Sequence, residues 1–385
     1  HSAYGQNILW RTASQTGQPH LTLPSIEQLV IPKYSEEFEA TAETLYMQSE
    51  RLKNQSIEAY RRAETLLLDT LGMANFSARH SRAGGSPDSQ KAPPHSGKQN
   101  QNALSITPLD SRLRGNDGVV VNIKSFKDSF AATGRLDAEY YQPKYEQVMA
   151  HITAQAHDTL SALVTIKKSI EPGSDEYSDD EQGLPFMRVA DYSKFGVTPP
   201  QKKIKVSFVA ENKDKLDELM PKAGTILFSK DGSVGEAYCL REDADFITSG
   251  AVLHLTVRDT KKLLPDYLTL ALNSKLVKMQ AERDAGGSII LHWRVGEIEN
   301  VVVPLVDMST QQKIAALVQE SFSLKAESEH LLTVAKRAVE MAIEQDEAAA
   351  MAYLNTCAGM VTAPTKGKAR SLSDFDPASM LQKKK

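Results

Sequence analysis

The sequence predicts an α+β protein in which a compact mixed domain is flanked by two long helices that pair with each other. Three observations lead to this prediction. Residues 20–66 recur as residues 292–338, both copies carry a heptad pattern, and the region between them alternates short apolar runs with helical segments. A fixed internal repeat is informative because it indicates architecture before any single motif does.

The two copies of the repeat align without a gap at a constant offset of 272 positions. Each copy contains a histidine in a glycine-containing loop, a short apolar strand that ends at proline, and a long helix. The identical pairs are His20 and His292, Ile26 and Ile298, Glu27 and Glu299, Pro32 and Pro304, Leu45 and Leu317, Ser49 and Ser321, Leu52 and Leu324, Lys53 and Lys325, Ser56 and Ser328, and Ala63 and Ala335. This period is too long for a solenoid, so it indicates two related halves. Only 19 residues precede the first match, and we expect most of the first half to be missing.

Both helical segments carry two interleaved rows with a seven-residue spacing. One row is mostly small, with Ala42, Ser49, Ser56 and Ala63 in the first copy and Ile314, Ser321, Ser328, Ala335 and Ala342 in the second. The other row predicts the helix-pair interface through Leu45, Leu52, Leu66, Leu317, Leu324 and Leu331. Alternating large and small residues along a 3.5-residue seam are typical of a coiled coil. The alternative is two amphipathic core helices that never meet.

The order of segments along the chain follows from composition and periodicity. Residues 1–33 resemble the end of a domain, residues 34–74 a first long helix, residues 75–121 a linker rich in Ser, Gly, Pro, Asn and Gln, residues 122–308 a complete domain, residues 309–353 a second long helix, and residues 354–385 a flexible tail. At about 1.5 Å per residue, each long helix would extend roughly 50 Å, which suits a spacer.

The domain over residues 122–308 combines strand and helix patterns. Its strand candidates are Phe186–Val189, Thr225–Ser229, Ala237–Leu240 and Val252–Val257. Helices are expected after Pro143, over Phe208–Leu219 and over Pro265–Ala285. This mixture without a regular strand–helix alternation is the basis of the α+β prediction.

Composition limits the classes of function. The net charge of −4 means that a nucleic-acid surface would have to be a local patch. The two cysteines, Cys239 and Cys357, lack metal-ligand spacing, so the sequence predicts a reducing compartment and no structural zinc. No apolar run reaches membrane length and no signal peptide is recognisable, so we expect a cytoplasmic protein.

Several motifs occur in a fixed order through the central domain. They are Gly134-Arg135-Leu136-Asp137-Ala138-Glu139-Tyr140-Tyr141-Gln142-Pro143, Phe186-Met187-Arg188-Val189-Ala190-Asp191, Gly224-Thr225-Ile226-Leu227-Phe228-Ser229-Lys230-Asp231-Gly232-Ser233-Val234-Gly235, Ser249-Gly250-Ala251, Gly286-Gly287-Ser288 and Gln311-Gln312-Lys313-Ile314. With the heptad helices beside them, these motifs resemble the specificity subunit of a Type I restriction-modification enzyme. The resemblance covers residues 1–74 and 122–350.

The resemblance implies a fold, a function and partners. Such a subunit has two target recognition domains, each reading one half of a split DNA site, and its two helices pair antiparallel as a spacer. It is non-catalytic and binds double-stranded DNA, two methyltransferase subunits and two restriction subunits. S-adenosylmethionine, ATP and Mg would be bound by those partners, and adenine methylation and cleavage would take place there.

This chain departs from that pattern in two places. The first recognition domain is reduced to a remnant in residues 1–33, and residues 75–121 are an extra linker. We therefore expect one complete recognition domain, residues 122–308. Two copies of the chain could restore the symmetry as a homodimer.

Nine residues have side chains that can bind base edges or phosphates and are candidate DNA contacts. They are Arg188, Lys194, Lys202, Lys203, Ser229, Lys230, Asp231, Ser288 and His292. Each residue also has a structural interpretation. Ser229 to Gly232 fit a tight turn with a solvated lysine, His292 beside Trp293 fits a packing histidine, and the lysines of residues 194–205 fit a solvated face.

The sequence contains no recognisable catalytic motif. The glycines near Lys230 are not followed by Gly-Lys-Ser or Gly-Lys-Thr, and no His-Glu-x-x-His, Cys-x-x-Cys or Ser-x-x-Lys pattern occurs. The Asn-Pro-Pro-Tyr/Phe type of motif expected of an adenine methyltransferase is also absent. Two hypotheses remain: a non-catalytic DNA-reading subunit, or a truncated scaffold that binds partners without reading a DNA sequence.

Overall fold

The structure is a computed structural model that describes residues 2–13, 21–27, 29–74, 122–286 and 291–361. The chain divides into two compact units. Unit 1 comprises residues 1–60 and 319–385, and unit 2 comprises residues 61–318. Among the described residues, no helix is both long and apolar enough to cross a membrane. The predicted linker 75–121, the tail beyond Val361, His20 and Ser288 lie outside the described residues.

Helices and strands alternate irregularly through the described residues. The helices are α1 Ala3–Thr12, α2 Leu23–Glu27, α3 Glu36–Thr70, α4 Phe130–Thr133, α5 Pro143–Thr153, α6 Leu160–Leu163, α7 Val206–Glu211, α8 Lys213–Leu219, α9 Pro265–Asn273, α10 Lys275–Asp284, α11 Val295–Glu299, α12 Met308–Glu344 and α13 Glu347–Val361. The strands are β1 His157–Thr159, β2 Val164–Lys168, β3 Tyr177–Ser178, β4 Leu184–Met187, β5 Tyr192–Ser193, β6 Gly196–Val197, β7 Lys202–Ile204, β8 Ile226–Ser229, β9 Ala237–Cys239, β10 Ile247–Thr248, β11 Val252–Val257 and β12 Val302–Pro304. The α+β class is confirmed.

Helices α3 and α12 pair antiparallel in unit 1 through serines of the small row. Ser49 and Ser328 each donate a hydroxyl hydrogen bond to the other's backbone carbonyl, at 2.9 and 2.8 Å. Seven residues further along α3 and seven residues back along α12, the hydroxyls of Ser56 and Ser321 lie 3.1 Å apart. A side chain of this size reaches the opposite backbone only where the helices approach closely, so serine is favoured over leucine at these positions.

The internal repeat is visible in this pairing. At the offset of 272 positions, Ser49 corresponds to Ser321 and Ser56 corresponds to Ser328. The contact between Ser49 and Ser328 is therefore the counterpart of the contact between Ser56 and Ser321. The repeat therefore corresponds to a local two-fold relation between α3 and α12.

The leucine row flanks this seam instead of forming its centre. The small row is fully buried except at Ala42, with Ser56 3% and Ala63 0% exposed, whereas the leucines at positions 45, 52, 66, 317 and 324 are only half-buried. Of the six leucines predicted at the interface, Leu331 alone is fully buried, at 1% exposure. The small residues occupy the line of closest approach because a branched side chain there would hold the two backbones apart.

The second long helix ends earlier than predicted. A single helix over residues 309–353 was expected, but α12 stops at Glu344 and α13 begins at Glu347. Asp346 accepts a hydrogen bond from the backbone N–H of Ala349 at 2.8 Å and so caps the new helix. Residues of α13 up to Val361 are helical, so residues 354–361 are not part of a flexible tail. Ala350 and Leu354 pack against Phe38 and Ala342 in a core of unit 1.

Unit 2 is built on two four-stranded sheets, the β5–β6 hairpin and a two-stranded ribbon of β1 and β12. One sheet has the order β2-β11-β8-β9 and is antiparallel; the other has the order β10-β4-β7-β3, in which β10 and β4 are parallel. In the ribbon, β1 pairs antiparallel with β12, placing Asp158 opposite Val303. Strand β8 is buried at all four residues, so it forms a rigid support for the turn that follows it.

The predicted helices of unit 2 are interrupted. Phe208–Leu219 forms two helices that meet at Asn212, and Pro265–Ala285 is divided at Ser274. The Ser274 hydroxyl donates to the carbonyl of Ala271 at 2.6 Å, which competes with continuation of the helix. After this interruption the chain changes direction and enters α10, which ends at Asp284 close to the candidate site.

The strand expected before Pro32 is absent from the structure. Residues 29–35 adopt neither helix nor strand, whereas the equivalent β12 is paired with β1. Val30 and Ile31 are 82% and 80% exposed. The difference follows from the partner strand, because β1 belongs to the domain that precedes β12 and the described part of unit 1 contains no counterpart.

Candidate nucleic-acid interface

The β8–β9 turn, residues 230–235, projects from the end of a fully buried strand. Gly232 and Gly235 have φ values of 72° and 76°, a left-handed conformation that glycine adopts without strain. The backbone N–H of Gly235 donates to the Ser229 carbonyl at 2.8 Å, and that of Ser229 donates to Glu236 at 3.0 Å. The turn is therefore closed at its base.

Ser229 has a structural role in this turn. It is completely buried, its hydroxyl donates to the Ser233 carbonyl, and it accepts a hydrogen bond from the Glu236 N–H at 2.8 Å. A hydroxyl that is buried and bonded in this way cannot reach a base. The prediction that Ser229 contacts DNA is corrected: it shapes the turn that carries its neighbours.

Residues 291–293, at the end of the glycine-rich loop that begins at Gly286, lie against the β8–β9 turn. The N–H of Gly232 donates to the Leu291 carbonyl at 2.9 Å, and the N–H of Trp293 donates to the Lys230 carbonyl at 2.7 Å. His292 forms bridges with both Asp231 and Gly286. These backbone bonds join the turn to residues 291–293 on one surface, and the predicted contact Ser288 lies outside the described residues.

Lys230, Asp231 and His292 are brought together on this surface. Asp231 accepts from the Lys230 ammonium and, at 2.9 Å, lies within hydrogen-bond distance of His292 Nδ1. The imidazole is 64% exposed, so His292 is not a packing histidine. The cluster presents a cation, a carboxylate acceptor and an imidazole, which are groups that can recognise base edges and phosphates.

An arginine–tyrosine cluster beside this loop was not predicted. The guanidinium groups of Arg135 and Arg283 lie 4.6 and 5.1 Å from the ring centre of Tyr140. Arg135 also donates to the carbonyl of Asp284 at 3.0 Å, two residues before Gly286. Its paired hydrogen bonds lower the pKa of the Asp137 carboxyl. The Gly134–Pro143 motif contained the signal, since it places Arg135 and Tyr140 in one short segment.

Arg188 and Lys194 are each committed to a carboxylate. Arg188 Nε lies 3.4 Å from Asp191 Oδ2, and the same oxygen accepts from the Arg188 backbone N–H at 2.9 Å. Lys194 lies between β5 and β6, and its ammonium donates to Glu64 Oε1 of α3 at 2.9 Å. The structure therefore places neither residue in the cluster of Lys230, Asp231 and His292.

Lys202 and Lys203 lie in strand β7. Strand β7 pairs with β3, and the Lys203 ammonium donates to the Glu181 carbonyl at 2.9 Å. The segment that leads into and out of β3 is acidic, through Asp175, Glu176, Asp179, Asp180 and Glu181. These carboxylates oppose the approach of a phosphate, so the β8–β9 turn is the better candidate for the site.

The described residues contain no group of three or more His, Cys, Asp or Glu side chains that could hold a metal ion. His254 is buried in β11, where its Nε2 lies 2.8 Å from the Thr248 hydroxyl. Burial lowers its pKa to about 4. It therefore belongs to the core and not to the candidate site.

Comparisons with known proteins identify a family for part of the chain. Residues 159–332 match the family model described as the Type I restriction modification DNA specificity domain. None of the curated proteins matches the chain.

Solved structures similar to this chain include a Type-I restriction-modification system S subunit from M. genitalium, at 16% identity and a TM-score of 0.33. This similarity covers 49% of the present chain and 42% of that subunit, so the chain spans less than half of the subunit's length. An HsdS subunit from Thermoanaerobacter tengcongensis has 16% identity, a TM-score of 0.32 and coverage of 90% and 68% of the two chains.

A chain from a study of complex assembly and conformational transition of the type I R-M system has 16% identity, a TM-score of 0.34 and coverage of 92% and 67%. Identities and TM-scores are low in all three comparisons, so the assignment rests on the family match. The matched residues contain both the β8–β9 turn and residues 291–293. Residues 159–332 therefore belong to the family of Type I restriction modification DNA specificity domains.

Proposed function

We propose that this chain recognises one DNA half-site through the β8–β9 turn and the adjoining His292. The observation that carries this proposal is the cluster of Lys230, Asp231 and His292, which the backbone bonds between the turn and residues 291–293 hold on one surface inside the family-matched domain. A base-reading site needs such a rigid support, because discrimination is lost when the contacting groups are free to move.

Each member of the cluster has a distinct possible role. The Lys230 ammonium can donate to guanine O6 and N7 or to a phosphate, and the Asp231 carboxylate can accept from a cytosine amino group. Binding to guanine or phosphate requires Lys230 to exchange its contact with Asp231 for one with DNA. Arg135 and Arg283 lie beside the loop and suit backbone contacts, which fix position without reading sequence.

The proposal extends to partners. We infer that the paired helices dock methyltransferase subunits, that restriction subunits join them, and that the complex works in the cytoplasm. S-adenosylmethionine, ATP and Mg would be bound by those subunits, and this chain would supply DNA recognition without catalysis. Because the chain carries one complete recognition domain, a homodimer would present two half-site readers.

A second function is a scaffold that binds partners but reads no sequence. The exposed Val30 and Ile31 favour it, because no described residues cover the first copy of the repeat as β1 covers the second. Its DNA binding would depend on salt but not on sequence.

Selection from a randomised pool of DNA duplexes separates these functions. The full chain should enrich one short defined sequence if it reads a half-site. Salt-sensitive retention of the pool without enrichment would support the scaffold and contradict sequence reading.

A Lys230→Ala variant tests the site itself. Loss of a bidentate or phosphate contact should weaken binding of the selected duplex by about tenfold, since such contacts contribute roughly 1–3 kcal/mol. Lys222→Ala is the matched control, because Lys222 lies before β8 at the end away from the turn and is 66% exposed. Unchanged affinity in Lys230→Ala would remove Lys230 from the site.

A further inference from the structure

Glu236 directly follows the β8–β9 turn, and its side chain bonds to two neighbouring elements. One carboxylate oxygen accepts from the backbone N–H of Lys194 at 2.6 Å, and the other accepts from the Lys278 ammonium at 3.0 Å. The backbone of Glu236 is bonded in both directions to Ser229, at the other end of the turn. A single residue thus ties the base of the turn to the β5–β6 hairpin and to helix α10.

Lys194 continues this connection to the long helix α3. Its ammonium donates to Glu64 Oε1 at 2.9 Å, and the two side chains are 28% and 31% exposed. Glu64 follows Ala63 and precedes Leu67 by three positions, and both of those residues are fully buried. Its backbone is therefore firmly placed, and it belongs to the part of α3 that lies in unit 2.

We propose that Glu64, Lys194 and Glu236 form a latch that fixes the orientation of the β8–β9 turn relative to helix α3. Lys194 is then a positioning residue for sequence recognition and does not contact DNA. This inference rests on the proposed function and deepens it, because it assigns the sequence-predicted contact Lys194 a different role.

The latch should affect discrimination more than stability. Part-exposed ion pairs contribute little to folding, typically 0–1 kcal/mol, so the domain should fold without one. Base recognition is more sensitive, since its contacts must be held within about 0.5 Å of the productive geometry. A turn that is free to tilt would still bind phosphates but would distinguish bases less well.

The test compares Lys194→Met and Glu64→Gln with wild type in the full-length chain. The first substitution keeps the aliphatic packing of the lysine, and the second keeps the shape of the glutamate. For each variant, affinity is measured for the duplex that wild type selects and for the same duplex with one base pair changed, across a salt series. The ratio of the two affinities reports discrimination, and a smaller folded fraction would lower both affinities alike.

We expect both variants to lower the ratio by about fivefold, which corresponds to the loss of roughly 1 kcal/mol. The slope of log affinity against log salt should stay at the wild-type value, because no phosphate contact is lost. Lys222→Met is the control, since it removes an exposed lysine that is paired with Asp243 at the other end of β8, and it should leave the ratio unchanged. Exchanging the charges in Glu64→Lys with Lys194→Glu should restore part of the ratio.

Two outcomes would overturn the latch. A salt slope that is smaller by about 0.9 in Lys194→Met but not in Glu64→Gln would make Lys194 a phosphate contact. An unchanged ratio in Glu64→Gln would show that the contact with α3 does not orient the turn. Failure of the proposed function is distinct, because wild type itself would then show no preference between the two duplexes, and the latch would lose its role with it.

Discussion

The two copies of the internal repeat share a local conformation but differ in burial. Helix α2 and helix α11 are five residues long and stand at the same offset of 272 positions. Ile26 and Ile298 each accept a hydrogen bond from the N–H three residues later, at 3.2 and 3.1 Å. Yet Ile26 is 46% exposed, whereas Ile298 is completely buried.

The same contrast holds for the residues that follow. Ile31 is 80% exposed, and its counterpart Val303 is fully buried in the ribbon with β1. Local sequence thus determines the backbone turn in both copies, while the strand and its burial depend on the neighbouring domain. The comparison indicates that the recognition domain provides most of the contacts that bury its own last segment, residues 298–304.

The largest expected effect is the difference in stability between the variants Val303→Asp and Ile31→Asp. Val303→Asp places a carboxylate in a buried strand opposite Asp158, and it should destabilise unit 2 by more than about 4 kcal/mol or prevent its folding. Ile31→Asp should change stability by less than about 0.5 kcal/mol, because the position is exposed.

Urea unfolding followed by tryptophan fluorescence measures the effect in unit 2. The chain has two tryptophans, and Trp10→Phe leaves the buried Trp293 of unit 2 as the sole reporter. If Val303→Asp does not fold, Val303→Ala should still cost about 2 kcal/mol. Equal costs at positions 31 and 303 would contradict the proposed difference in packing.

The next effect concerns acid sensitivity, which we expect in unit 2 through His254. Its pKa is lowered from 6.5 to about 4 in the folded protein, so at neutral pH neither the folded nor the unfolded state is charged there. As the pH falls below 6.5, the unfolded state takes up a proton first, and unit 2 should lose up to about 3 kcal/mol by pH 4.

His254→Gln should remove this part of the pH dependence, although stability at pH 7 should fall because the Thr248 contact changes. The measurement is urea unfolding between pH 7 and pH 4, again with Trp293 as the reporter. In the described part of unit 1, the one histidine is the exposed His330. A wild-type pH profile that matches that of His254→Gln would count against the account.

A smaller effect separates the two heptad rows. Ser56→Leu places a large side chain on the line where α3 and α12 approach most closely, and it should cost about 2 kcal/mol. Leu324→Ala removes a half-buried side chain from the flanking row and should cost about 1 kcal/mol. Thermal unfolding followed by circular dichroism measures both costs. A larger cost for Leu324→Ala than for Ser56→Leu would indicate that the leucines form the centre of the interface.

The smallest effect concerns the ends of the two long helices. Helix α3 ends with the N–H of Met73 bonded to Leu68 and that of Gly72 bonded to Asp69, with Gly72 at a φ of 69°. The equivalent position in the second copy is Glu344, which is still helical. Gly72→Ala should cost about 1 kcal/mol from the left-handed backbone alone. Thermal unfolding checks it, and an unchanged midpoint would mean that the helix end adapts.

Part of the fold could be predicted from the sequence because it is periodic. The repeat and the heptads identified α3 and α12, and the antiparallel pairing came from the family resemblance. The heptads placed both rows in the interface, but a seven-residue spacing does not tell which row lies at its centre. The break at Gln345 was missed because no glycine or proline marks it.

The candidate site was predicted only where one turn contained it. Lys230 and Asp231 follow a strand pattern directly, and the repeat drew attention to His292. The role of Lys194 depends on Glu64, which is 130 residues away in the sequence, and no spacing rule connects them. Tertiary partners of this kind also explain why Ser229 was placed among the DNA contacts although its hydroxyl is buried.

Methylation mapping tests the central claim, that this chain directs modification to a DNA sequence, most directly. The chain would be expressed with a matching methyltransferase subunit, with co-purification of the two confirmed from the same cells, and compared with its Lys230→Ala variant. The account predicts methylated adenine in one defined motif, with lower occupancy in the variant. A co-purifying complex that methylates no motif above background would contradict it.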